Sequence, residues 1–226
     1  MRTYSYASRP VKLRCTPMGS QSPAKRKYEL KRRADEMART RLRITEAAVE
    51  LHGTIGPVRT NVSAVAERAG VQRHTVYRHF PSEAALFAAC SGHYFQANPL
   101  PDFERWRPMG DPDQRLALAL DEIYAYYERT EPMFTNVFRD ADLVAAVRPA
   151  LAPLEGYLKA AAEVLAAGRP ARGRRRQVRD GALRHALDFQ TWQSLTTHNQ
   201  LTRAEAVTLV TALVNAASAP RRRAAA

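Results

Sequence analysis

No stretch of this sequence approaches the roughly 18 to 20 consecutive apolar residues that a membrane-spanning helix needs, so no bilayer span is expected. An anionic membrane surface is a partner that charge alone would permit, but no membrane is among the expected partners. Cysteine is scarce. Its two copies, Cys15 in a polar leader and Cys90 in a helical pattern, exclude a disulfide framework and give no basis for a zinc cluster. Strand-like alternation is missing throughout, which leaves an all-α class. Also absent are GxSxG, HExxH, a phosphate loop and a dinucleotide fingerprint. An enzyme would have to be built from scattered residues such as His185, Asp188 and His198; no catalytic residue, metal or cofactor is expected. Acidic residues are outnumbered, 22 against 35 lysines and arginines, and the net charge of +13 calls for an anionic partner. The N-terminus has Arg2, Arg9, Lys12 and Arg14 but no apolar core followed by a cleavage site, so the expected location is the cytoplasm, on the nucleoid.

What is there is a series of helical patterns. Residues 1–24 read as a disordered basic leader. A helix with Met37, Ile44, Ala48 and Leu51 on one face ends at Gly53 and Gly56-Pro57. The next starts at Thr60 or Asn61 and breaks at Gly70, a short third covers about Gln72 to His79, and Pro81-Ser82 opens a fourth. Asp111-Pro112-Asp113-Gln114 combines an acidic cap, a first-turn proline and Gln at the third helical position, a strong helix start. Leu116, Leu120, Ile123 and Tyr127 form its stripe; residues 131–149 then predict one or two short helices, and Leu151 to Leu165 another. The last two helices, about 174–198 and 203–218, carry stripes at Val178, Ala182, His185, Phe189 and Trp192, and at Ala206, Val210, Leu213 and Ala217. The penultimate one has a second apolar edge, Leu183, Leu187 and Leu195, suited to a partner. The expected organisation is a helix-turn-helix domain with a basic arm at 25–80, a connecting helix at 81–98, a helical effector-binding and dimerisation domain at 99–219, and a disordered tail at 220–226.

Two short helices around Gly70 have the form of a helix-turn-helix, whose second helix enters the DNA major groove. Ala66 is small where the helices approach, and Val65, Val71 and Val76 supply a core. Gln72, Arg73, His74, Thr75, Tyr77, Arg78 and His79 are expected to remain exposed. Arg73, His74 and Gln72 suit base edges, Thr75, Tyr77 and His79 suit phosphates, and Arg78 suits either. Thr60, Asn61 and Ser63 at the start of the preceding helix, and Lys27 and Lys31 in the basic arm, complete the expected DNA contacts. The plain alternatives are a solvated basic helix and a solvated arm.

The run "TEAAVELHGTIG…RTNVSAVAERAGVQRHTVYRHFPSEAALFAAC" resembles, over about residues 38–90, the DNA-binding domain of the tetracycline-repressor (TetR) family of bacterial regulators. "AERAGV", the "TVYRHF" run and the Pro-Ser helix start carry the likeness. The resemblance implies a homodimeric, effector-released repressor on an inverted-repeat operator of double-stranded DNA, dimerising through its last two helices. It also implies phosphate contacts at Thr75, Tyr77 and His79, and base contacts at Arg73 and His74. Glu83 departs from the family, which usually places a phosphate-binding lysine near that position.

A small-molecule effector of unknown identity would bind in the C-terminal half, with Trp106, Tyr124, Tyr127, Phe138, His185 and Phe189 as candidate pocket residues. Aromatics at helical spacing also pack cores, and His185 fits a core or interface position. A non-specific DNA-coating protein is the competing function that charge alone would permit.

Overall fold

The computed structural model describes residues 23–218, with side chains from residue 26 onward; the rest of the leader and tail lie outside the described residues. Among them are ten α-helices and no strands: α1 (Pro23–Thr54), α2 (Val62–Ala69), α3 (Arg73–His79), α4 (Glu83–Ala97), α5 (Pro112–Asp140), α6 (Val147–Ala150), α7 (Ala152–Ala166), α8 (Gly173–Ala186), α9 (Phe189–Gln193) and α10 (Arg203–Ser218). The chain divides into two compact units, Met1–Thr40 and Arg41–Ala226. In the first, the residues described form the leading part of α1, where Met37 is exposed. The buried stripe of that helix begins at Ile44.

The second unit has two hydrophobic cores. The smaller joins Ile44, Ala47 and Ala48 of α1, Val65, Ala66 and Ala69 of α2, Val76 and Phe80 around α3, and Leu86 and Cys90 of α4. Alanines at the contacts let these short helices approach closely. The larger core is built mainly on α5 and α7–α10, joined by Phe87 of α4, Val147 of α6 and Trp106, with α10 lying on α5 and α8.

Residues 131–149 differ from the sequence expectation. Helix α5 runs without interruption to Asp140 through Pro132, and only α6 is separate. Proline removes one backbone donor and crowds the preceding turn. Buried Tyr126, Tyr127 and Phe134 on either side keep the helix packed as one piece.

The penultimate helix also differs. It breaks at Leu187-Asp188, where the Asp188 side chain caps α9 by accepting the Gln190 N–H at 2.7 Å. The break frees two backbone carbonyls. Tyr124 Oη donates to Ala186 O at 2.9 Å and Tyr127 Oη to Leu187 O at 2.7 Å, which satisfies both in the dry interior. These bonds turn α8 so that Leu183, Ala186 and Leu187 enter the core while Val178 and His185 face out. Along α8 the two expected faces have changed places, while Phe189 and Trp192 of α9 are buried as expected. On α10, Val214 is buried where Leu213 was expected, and Leu213 is 59% exposed.

The basic segment before α8 is anchored. Arg169 bonds Pro112 O, Asp113 and Asn215 at 2.9, 2.7 and 2.6 Å, and Arg179 donates to Arg169 O. Arg115 caps the end of α7 through Ala167 O at 2.7 Å.

Candidate nucleic-acid interface

Asn61 caps α2, its Oδ1 accepting the Ala64 N–H at 3.0 Å; of the two caps expected, this is the one used. Thr60 instead donates its hydroxyl to Gly56 O at 2.8 Å. Helix α2 stops at Gly70, which lies at φ 63° and ψ 41°, and the Val71 N–H returns to Ala66 O at 2.9 Å. Left-handed backbone of this kind is nearly free for glycine and costly for other residues. The chain thereby reverses into α3 within three residues.

Val76 and Phe80 anchor α3 in the core, and Arg41 fastens its far end. The Arg41 guanidinium donates to His79 O and stacks 4.0 Å above the Phe80 ring. Sequence reasoning missed Arg41; its position one turn ahead of buried Ile44 and Thr45 was the available signal.

With one face pinned, α3 turns Arg73, His74, Tyr77 and Arg78 to solvent. Gln72 occupies the cap position and is exposed, with no side-chain bond to the helix, and Thr75 is half-buried. A groove of about 530 Å³ gathers Thr60, Asn61 and Ser63 from the start of α2 with Arg73 and Tyr77 from α3. Glu83, the first residue of α4, lines the same groove and opposes an anion there. The remaining expected contacts on α3 lie outside its lining, and Lys27 and Lys31 are exposed residues of the other unit.

His79 is a correction. Its ring is buried, with Nε2 lacking a hydrogen-bond partner. Burial first, then the charges of Arg78 and Arg41, lower its pKa. A neutral, enclosed imidazole is not the exposed phosphate ligand expected from the sequence. Helical period explains why: positions 76, 79 and 80 share one face.

Residues 44–90 match the family of bacterial regulatory proteins named tetR, a stretch that begins and ends on members of the smaller core, Ile44 and Cys90. That segment is of the tetR-family type. The fold agrees along the chain. A tetR-family transcriptional regulator from Mesorhizobium loti MAFF303099 superposes with a TM-score of 0.56 at 19% identity, covering 80% of this chain and 96% of its own. For a TetR-like transcriptional regulator from Rhodococcus sp. RHA1 the TM-score is 0.53 at 18% identity, with 77% and 93% covered. No curated protein matches significantly in sequence. The match over residues 44–90, together with these structural neighbours, points to a DNA-binding transcriptional regulator rather than an enzyme.

The candidate effector residues other than His185 are spent on packing. Trp106 is fully buried and donates Nε1–H to Glu122 at 2.8 Å, Tyr124 and Tyr127 hold the α8 break, and half-buried Phe138 stacks on Phe189 at 5.4 Å. His185 sits on the exposed face of α8 beside Thr191. None lines the apolar cavity of about 50 Å³ bounded by α1, α4, α5 and α6. That cavity is lined by His52, Phe87, Cys90, Tyr94, Met133 and Phe134, among others.

His52 stacks on Phe87 with ring centroids 4.5 Å apart and is 4% exposed. Burial lowers its pKa to about 4 from an ordinary 6.5. The unfolded chain therefore binds the extra proton first. The stability His52 protects is intact above about pH 6.5 and is lost as pH falls toward 4. At pH 5 the loss amounts to about 2 kcal/mol relative to neutral pH. His52→Phe, which keeps the stack and cannot titrate, should show a correspondingly smaller drop in denaturant midpoint between pH 7.5 and pH 5. Identical drops would remove His52 from the acid response.

Proposed function

We propose that this protein is a ligand-responsive repressor that binds an inverted-repeat operator as a homodimer and is released by a small effector. The observation that carries the DNA reading is the groove in which the polar start of α2 faces Arg73 and Tyr77 of α3. Hydroxyl and amide groups there suit phosphate oxygens, and exposed Arg73 suits a guanine edge. Lys27 and Lys31 add attraction that is salt-dependent and indifferent to sequence.

Dimerisation is supported by an exposed apolar face on α8 and α10, with Val178 43%, Leu209 40% and Leu213 59% exposed. Beside it, Ala182, His185, Leu195 and Leu213 line a depression of about 340 Å³. A second copy related by a two-fold axis would cover this face and set two α3 helices about 34 to 36 Å apart. The effector site we favour is the apolar cavity at Phe87 and Phe134, which suits an uncharged, hydrophobic molecule able to displace its walls.

Selection of duplexes from a random DNA pool at physiological salt tests this function. An enriched inverted repeat supports it; binding without any enriched motif, lost as salt rises, would replace it with a non-specific DNA-coating role. On the selected site Arg73→Ala should cost about 1 to 3 kcal/mol and relax preference at one or two base pairs, whereas Tyr77→Ala should weaken binding to all duplexes alike. Equal losses for Arg73→Ala on matched and mismatched sites would show that this arginine contacts only the backbone.

A further inference from the structure

One turn at the end of α5 holds the segment that leads into α2. Asn136 donates Nδ2–H to Gly53 O at 2.9 Å, meeting a carbonyl in the last turn of α1. Four residues later, Asp140 Oδ2 accepts the Val58 N–H at 3.0 Å, across 82 positions of sequence. Arg139 clamps the same carboxylate, Nε to Oδ1 at 2.8 Å and Nη2 to Oδ2 at 3.1 Å, and also reaches Ile55 O at 3.4 Å. The Asp140 side chain is only 3% exposed. Three side chains spaced as i, i+3 and i+4 thus satisfy three backbone groups of a turn that would otherwise have no partner.

We propose that Asp140, with Asn136, is a positioning residue for DNA binding: it fixes the turn from which α2 departs and so sets the register of the groove at Asn61 and Arg73. The assignment rests on the DNA-binding reading above. The chain of contacts is short. From Val58 the turn passes to Thr60, whose N–H bonds Pro57 O at 3.0 Å and whose hydroxyl bonds Gly56 O, and then to the Asn61 cap. Any shift of the turn moves all three polar residues of the groove's α2 side. The Arg139 guanidinium holds the Asp140 carboxyl below the usual carboxylate range, so the latch is charged at neutral pH. The same α5 segment carries Met133, Phe134 and Val137, which wall the apolar cavity. One piece of helix therefore joins that cavity to the turn.

The test uses the full chain, with Asp140→Ala and the charge-neutral Asn136→Ala, titrated at one salt concentration on the selected operator and on a scrambled duplex, and with amide exchange read at Val58. Reading bases needs register, whereas sequence-indifferent attraction needs only charge. Asp140→Ala should bind the operator about ten-fold more weakly, Asn136→Ala several-fold, and the scrambled duplex should change less than two-fold. Val58 should exchange at least ten-fold faster in Asp140→Ala while core amides of α5 keep their protection. Operator affinity unchanged in both variants, or equal losses on both duplexes, would overturn the assignment of Asp140. A wild-type chain with no preferred duplex would overturn the DNA-reading function itself.

Discussion

Phe134→Ala is expected to lower the melting temperature by about 10 °C, among the largest effects of any single truncation in this chain. Phe134 is 2% exposed and lies within 6.2 Å, centroid to centroid, of Tyr94, Tyr126, Tyr127, Phe138 and Phe189. Removing a buried phenyl ring loses its transfer energy and leaves a void, together about 3 to 5 kcal/mol. The void would merge with the apolar cavity that Phe134 already walls. An enlarged apolar cavity binds small aromatic molecules, and binding to the folded state alone raises stability. Benzene should therefore recover part of the loss in Phe134→Ala and leave the wild-type melt unchanged. A variant that melts within about 2 °C of wild type would mean that the surrounding rings collapse into the space.

Gly56→Ala should be destabilising by roughly 3 kcal/mol and should weaken operator binding as well. Gly56 has φ 90° and ψ 160°, backbone that is essentially reserved for glycine. A Cβ there would strike the Arg139 guanidinium and lie 2.6 Å from Asp140 Oδ2, so the latch would have to open. Gly70 offers the comparison. It is also left-handed, at φ 63°, yet nothing lies within 4 Å of a Cβ added to it, and Gly70→Ala should cost only about 1 to 2 kcal/mol. Denaturant unfolding of the two variants side by side decides the matter: if Gly56→Ala is no worse than Gly70→Ala, the Arg139 and Asp140 side chains yield freely and the turn is not held rigidly.

The segment from α2 to the start of α4 was legible because its determinants are local. The caps at Asn61, Ser82 and Asp111 each bond a backbone N–H two or three residues ahead, and Gly70 ends α2 through its own backbone freedom. The cluster from Gln72 to Arg78 announced itself by residue type. Burial of His79 was also legible, since it follows from the helical period set by Val76 and Phe80, but the basic run drew it into the wrong group.

Tertiary structure decided the rest wherever a segment had two workable answers or a distant partner. Helix α8 carries apolar residues on two sides, and hydrophobicity alone does not choose between Val178 with His185 and Leu183 with Leu187; the hydroxyls of Tyr124 and Tyr127, some sixty residues earlier, make the choice by satisfying the carbonyls at the break. Pro132 suggested a boundary, and packing on both sides of it kept α5 whole. Nothing near Asp140 in sequence points to Val58, 82 residues away. By itself the sequence determined the helix class, the helix-turn-helix and its charge, because caps, turns and exposed side chains act over a few residues. Which face is inside, where the cavity lies and how the turn before α2 is held depend on contacts between remote segments, and only the folded chain brings those together.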